Sequence, residues 1–125
     1  MEKFGDLIYS SETAAGEAIA KIESHTPKIE VPASIKAGQR YEIKVTVGPH
    51  PNTLEHSIRK VTIFLSEEGR SFNPVLLAEA IFTPMYADPE IKLSLKLNKG
   101  GTIYALGYCN LHGVWDGRKE IKVTP

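Results

Sequence analysis

Polar and apolar residues alternate along Tyr41-Glu42-Ile43-Lys44-Val45-Thr46-Val47, which puts Tyr41, Ile43, Val45 and Val47 on one face. A period of two marks a half-buried β-strand, because successive side chains leave opposite faces of a sheet. The same alternation runs through Ile91–Leu97 and Ile121–Val123. With one polar face each, both read as antiparallel strands solvated on one side. Mixed apolar runs at Ile58–Leu65, Val75–Phe82 and Thr102–Tyr108 are separated by Glu67-Glu68-Gly69-Arg70, by Pro84–Pro89 and by Asn98-Lys99-Gly100-Gly101, all turn-forming sequence. Adding Lys28–Val31 gives seven strands. Short strands at this spacing predict an all-β fold, a seven-stranded immunoglobulin-like β-sandwich. Residues 10–22 instead join Ser/Thr starters to alanine and glutamate, which predicts a short helix interrupted by Gly16. Residues 1–27 thus read as an N-terminal arm and residues 28–125 as the sandwich, within one structural domain.

Composition narrows the function. At 125 residues the chain suits a single domain that buries roughly two-thirds of its unfolded surface. Fifteen basic residues balance fifteen acidic ones, so no excess positive charge is available to collect nucleic-acid phosphates or anionic lipid. The start, Met1-Glu2-Lys3-Phe4-Gly5-Asp6, has no basic stretch leading into an apolar core, and no later run approaches a membrane span. A cytoplasmic protein bound to neither membrane nor nucleic acid is expected. The single cysteine, Cys109, has no intrachain partner. Its options are a buried thiol, an intermolecular link, a nucleophile or a metal ligand.

All four histidines fall outside the alternating strands: His25 before Thr26-Pro27, His50 in Gly48-Pro49-His50-Pro51-Asn52, His56 after Glu55, and His112 before Gly113. Loops on a rigid sandwich are where reactive side chains collect. The two-residue gap in Cys109-Asn110-Leu111-His112 lets a thiolate and an imidazole reach one metal from a tight turn. A compact Pro/Asn-rich loop between His50 and His56 could turn both rings to one side, with His25 approaching from the arm. Four nitrogens and one sulfur exceed the four ligands of a closed structural zinc site, and they suit iron or copper. A copper or iron electron carrier on a cupredoxin-like sandwich is the alternative. Against copper, no methionine follows His112 to supply the usual axial sulfur. Cys109 as a hydrolytic nucleophile lacks any triad signature. Trp115 and Tyr104 read as packing residues, Pro49 and Pro51 as stiffeners of the ligand loop, and Asn52 and Thr53 as hydrogen-bonding groups within it.

The segments His50-Pro51-Asn52-Thr53-Leu54-Glu55-His56-Ser57-Ile58 and Tyr108-Cys109-Asn110-Leu111-His112-Gly113-Val114-Trp115 resemble the superoxide reductase family, also called neelaredoxin or the iron-site domain of desulfoferrodoxin. The similarity runs from about Lys21 to the C-terminus. It implies an immunoglobulin-like sandwich holding one iron, with His25, His50, His56 and His112 equatorial and Cys109 axial. It also implies one-electron reduction of superoxide to hydrogen peroxide without dismutation, a small electron donor such as rubredoxin, and a homotetramer. The lack of a cysteine-rich N-terminal segment matches the one-iron class.

Glu23 matches the family's glutamate that fills the sixth position of the resting ferric site. The next position usually carries lysine, whose charge attracts superoxide, but here it is Ser24. Lys21 is the expected substitute for that charge. Backbone N–H groups of Leu111 and His112 are expected to hydrogen-bond the sulfur and moderate its donation to iron.

Overall fold

Eight strands make two sheets in the computed structural model, which describes all 125 residues. Ahead of them lie α1 (Phe4–Leu7), a 3-10 helix (Gly16–Lys21) and α2 (Ile22–His25). The strands are β1 (Lys28–Glu30), β2 (Ser34–Lys36), β3 (Arg40–Thr46), β4 (Ile58–Glu67), β5 (Val75–Ile81), β6 (Glu90–Lys96), β7 (Gly101–Cys109) and β8 (Gly113–Thr124). One sheet has the order β1-β3-β6 and the other β2-β8-β7-β4-β5. Every pairing is antiparallel except that of β2 with β8.

The alternation read from the sequence is what closes the two sheets on one another. Ile43, Val45 and Val47 from the β3 run, Leu95 and Leu97 from the β6 run, and Ile103, Ala105 and Cys109 from β7 all enter one buried cluster. Burying side chains of this size is worth about 1.5–3 kcal/mol each, so the cluster fixes both sheets in register. In β4 the alternation breaks. Ile58 pairs with Cys109 and Lys60 with Tyr108, leaving Arg59 as the extra residue of a bulge. The bulge turns both Ile58 and Val61 inward although three positions separate them.

Three expectations change. An eighth strand, β2, joins the predicted seven; it has three residues and one buried side chain, Ile35. The last strand begins at Gly113 and not at Ile121, because Trp115 and Gly117 are buried under the arm and no exposed-apolar rhythm marks them. The helix starts at Gly16, whose φ of 62° only glycine adopts readily, and it continues to His25. Upstream of it, the N–H groups of Thr13 and Ala14 both bond to the Ser10 carbonyl and close a turn.

The arm lies along the edge of β8 that β7 leaves open. Tyr9 N–H donates to the Val114 carbonyl and Asp116 N–H to the Tyr9 carbonyl, each at 2.9 Å. The Tyr9 ring stacks on Trp115 with centroids 4.9 Å apart, and Glu12 pairs with Arg118. Gly117 lets the chain pass closely: a Cβ there would lie 2.1 Å from the Pro27 carbonyl oxygen. No helix is long and apolar enough to cross a membrane.

Candidate metal centre

Three connections meet at one end of the sandwich. His25 closes α2, His50 and His56 lie in the loop between β3 and β4, Cys109 ends β7, and His112 sits in the turn to β8. The pairing of Ile58 with Cys109 sets the His56 loop beside the cysteine. The potential donor atoms of His25, His50, His56, Cys109 and His112 all lie within 4.8 Å of one another. The structure therefore gathers all five residues expected from the sequence.

The four imidazoles form a closed ring. His25 meets His50 and His112, and His56 meets the same two, with centroids 4.6–5.0 Å apart and ring planes crossed at 75–87°. His25 thus stands opposite His56, and His50 opposite His112. His25 Nε2 is 3.1 Å from both His50 Nε2 and His112 Nδ1. A square with edges of that length has corners about 2.2 Å from its centre, close to the ~2.1 Å of a metal–imidazole bond. Cys109 Sγ lies 3.5 Å from His50 Nε2 and 3.8 Å from His112 Nδ1, fully buried beneath the ring.

Hydrogen bonds at the far sides of the rings set their tautomers. His25 Nδ1 faces the Lys21 carbonyl at 3.0 Å, and His50 Nδ1 faces the Pro51 carbonyl at 2.7 Å. A carbonyl only accepts, so both Nδ1 atoms carry the proton and both Nε2 atoms keep a lone pair for the centre. His56 Nε2 is buried with no hydrogen-bond partner in the protein, as fits a nitrogen whose lone pair is kept for a cation at the centre.

Burial favours the neutral form of His25, His50 and His112. Burial lowers His25 to about 4, with the neighbouring His50, His112 and His56 adding to the effect and the bond to Lys21 opposing it. Burial also lowers His50, against the Pro51 bond, and lowers His112, helped by Lys21 and His56. Ligating imidazoles must be unprotonated, so neutral pH suits metal binding. Four imidazoles and a soft thiolate fit one transition-metal ion. The donor set exceeds the two histidines and one cysteine of a blue-copper site, and that alternative gains no support.

A second layer holds the donors. Asn110 bonds to both neighbours of His56: its Nδ2 donates to the Glu55 carbonyl at 2.9 Å, and its Oδ1 accepts the Ser57 N–H at 3.0 Å. Arg59, freed by the β4 bulge, donates to Ser57 Oγ at 2.6 Å and to the Leu54 carbonyl at 2.8 Å. Thr53 closes the same loop on His56 N–H at 3.0 Å, as expected. Asn52 was expected to bond within the loop, but it reaches outside, to the Ala87 carbonyl and the Met85 N–H. The backbone of Met85, at φ 74°, presents that N–H to it.

The remaining predicted residues take separate places. The Glu23 carboxylate lies outside the five-donor cluster, on an exposed position of α2. Ser24 supplies no charge, but its hydroxyl bonds to the Lys21 carbonyl at 3.2 Å, and its oxygen lies 2.8 Å from His25 Nδ1. Half-buried Lys21 lines a pocket of about 230 Å³ with Tyr9, Leu111, His112 and Trp115. The N–H groups of Leu111 and His112 make no hydrogen bond to the sulfur, whose polar neighbours are His50 Nε2 and His112 Nδ1. The turn is set instead by Asn110 and by the Trp115 indole on the His112 carbonyl. Trp115 packs against His25, outside the main core cluster, while half-buried Tyr104 borders an outer groove with Phe4 and Phe64.

A family model described as desulfoferrodoxin matches residues 17–118. The superoxide reductase of Pyrococcus horikoshii is 36% identical over 109 residues, spanning 82% of this chain and 90% of that one. A solved superoxide reductase (neelaredoxin) from Ignicoccus hospitalis is 54% identical, with a TM-score of 0.92 over 98% of this chain and 100% of its own. A variant of the Ignicoccus protein gives a TM-score of 0.97, at 54% identity and 99% and 100% coverage.

Proposed function

The chain belongs to the desulfoferrodoxin family, and from that premise we infer that it is a superoxide reductase with one iron per chain held by His25, His50, His56, His112 and Cys109. The observation that carries this reading is the closed ring of four imidazoles over a buried thiolate. When bound there, iron supplies the single electron that, with two protons, converts superoxide to hydrogen peroxide.

The protein's own groups prepare that step. Neutral imidazoles and one thiolate leave a bound dication with a net positive charge that suits an anionic substrate. Burial of Cys109 keeps its sulfur from external oxidants. The chain's formal net charge is zero, so attraction of superoxide depends on local charge, and Lys21 beside His112 fills that role. Glu23, exposed on α2 two residues before His25, would add its carboxylate to the five donors when ferric iron is bound.

The same reading extends to the surroundings. A small electron-carrier protein of the rubredoxin kind restores the electron, the chain assembles as a homotetramer, and it works in the cytoplasm. Residues 1–27 act as an arm that brings His25 to the sandwich, which the Tyr9 and Glu12 contacts to β8 support.

Peroxide yield tests the activity. The reduced protein should give one hydrogen peroxide per superoxide consumed and release no oxygen. One peroxide per two superoxides, with oxygen evolved, would make it a dismutase and overturn the reading.

A further inference from the structure

The side chain of Asn110 ties the cysteine's turn to the His56 loop. Asn110 follows Cys109 directly, and its amide bonds to the residues immediately before and after His56, 55 and 53 positions away in sequence. Its own N–H faces the Ser57 carbonyl at 3.4 Å. The two side-chain bonds use both ends of one planar amide, so rotation of either loop breaks at least one of them. His56 Nε2 meanwhile has no hydrogen-bond partner of its own. Its rings of contact are His50 and His112; its backbone is closed within the loop by Thr53 and tied to the cysteine's turn by Asn110.

We propose that Asn110 is the positioning residue that couples the thiolate of Cys109 to the imidazole of His56, fixing the angle between the sulfur and that corner of the ring. Arg59 supports the same loop from its other side, through Leu54 and Ser57, and makes no hydrogen bond to the cysteine's turn. Loss of Asn110 therefore loosens the relation between two donors, whereas loss of Arg59 loosens one loop. The inference rests on the five-donor metal centre described above.

Cobalt(II), added anaerobically to the metal-free full chain, provides a readout independent of superoxide chemistry. The wild type should bind one cobalt with a thiolate-to-metal charge-transfer band. Asn110→Ala should weaken cobalt binding about tenfold or more, the usual range for groups that orient ligands, and shift the ligand-field bands. In a His56→Ala background the same substitution should add little, because the group through which it acts is gone. Asn110→Asp keeps the acceptor for Ser57 N–H but loses the donor to Glu55; it should fall between, and it serves if the alanine variant does not fold. Equal effects of Asn110→Ala with and without His56, or unchanged affinity and spectrum, would overturn the proposal. Wild type without a cobalt–thiolate band would instead overturn the metal centre itself.

Discussion

Trp115 donates its indole N–H to the His112 carbonyl across 3.0 Å, and its ring lies 5.2 Å from that of His25. One buried side chain thus holds the turn that carries one imidazole and packs against another. Trp115→Phe keeps most of the apolar surface but removes the donor and leaves a small cavity. It should lower stability by about 2 kcal/mol and weaken metal binding roughly tenfold. Denaturant unfolding and chelator competition measure the two effects; wild-type values in both would separate Trp115 from the centre.

Gly117 controls the approach of the arm. Its missing Cβ would meet the Pro27 carbonyl oxygen at 2.1 Å and the carbonyl carbon at 3.1 Å, and backbone cannot swing aside as a side chain can. Gly117→Ala should therefore cost about 2–3 kcal/mol and displace His25, two residues before Pro27, with a loss of metal affinity. Gly5, with nothing within 4 Å of its Cβ position, is the matched control. Equal behaviour of the two alanine variants would show that the arm does not depend on this contact.

Lys21 contributes to the site twice, and substitution separates the two roles. Its carbonyl holds His25 Nδ1, which any side chain preserves, while its ammonium lies near His112. Lys21→Ala should reduce the bimolecular rate with superoxide a few-fold at low ionic strength and flatten the salt dependence. The absorption spectrum of the loaded protein should not change. An unaltered rate and salt slope would remove Lys21 from substrate attraction.

Asp116 gives a pH dependence whose sign is fixed. Burial raises its carboxyl above the ordinary value of 3.8, outweighing the opposing influence of Ser10 and Arg118. The folded state then binds the proton more tightly than the unfolded chain. The ionised form costs stability above the folded pKa, and that cost fades as pH falls through it toward 3.8. Asp116→Asn should be more stable than wild type at pH 7, with the difference closing near pH 4. A wild type more stable at neutral pH would mean that Ser10 and Arg118 outweigh burial.

Strand alternation and ligand spacing were legible because each is local. Tyr41–Val47 and Ile91–Leu97 announce their faces within seven residues, and the Cys109–His112 turn announces itself within four. What escaped depends on distant partners. β2 exists because Ser34–Lys36 pairs with the far end of β8, and Trp115 and Gly117 are buried by an arm that joins the fold about a hundred residues earlier in the chain. Asn110 beside a cysteine ligand offered a hint of a role, yet its bonds go to Glu55 and Ser57. Arg59 gains its reach from a bulge that apolar pattern alone does not reveal. The resemblance assigned the metal and the reaction to the five ligands that spacing had brought forward, but not the second layer that holds them.

The central claim is a single iron bound by four imidazoles and the Cys109 thiolate. Iron analysis of anaerobically prepared native protein, together with the visible spectrum of its oxidised form, tests it most directly. The account predicts close to one iron per chain and a thiolate-to-iron charge-transfer band that disappears in Cys109→Ser. Zinc in place of iron, or a band that survives the substitution, would contradict it.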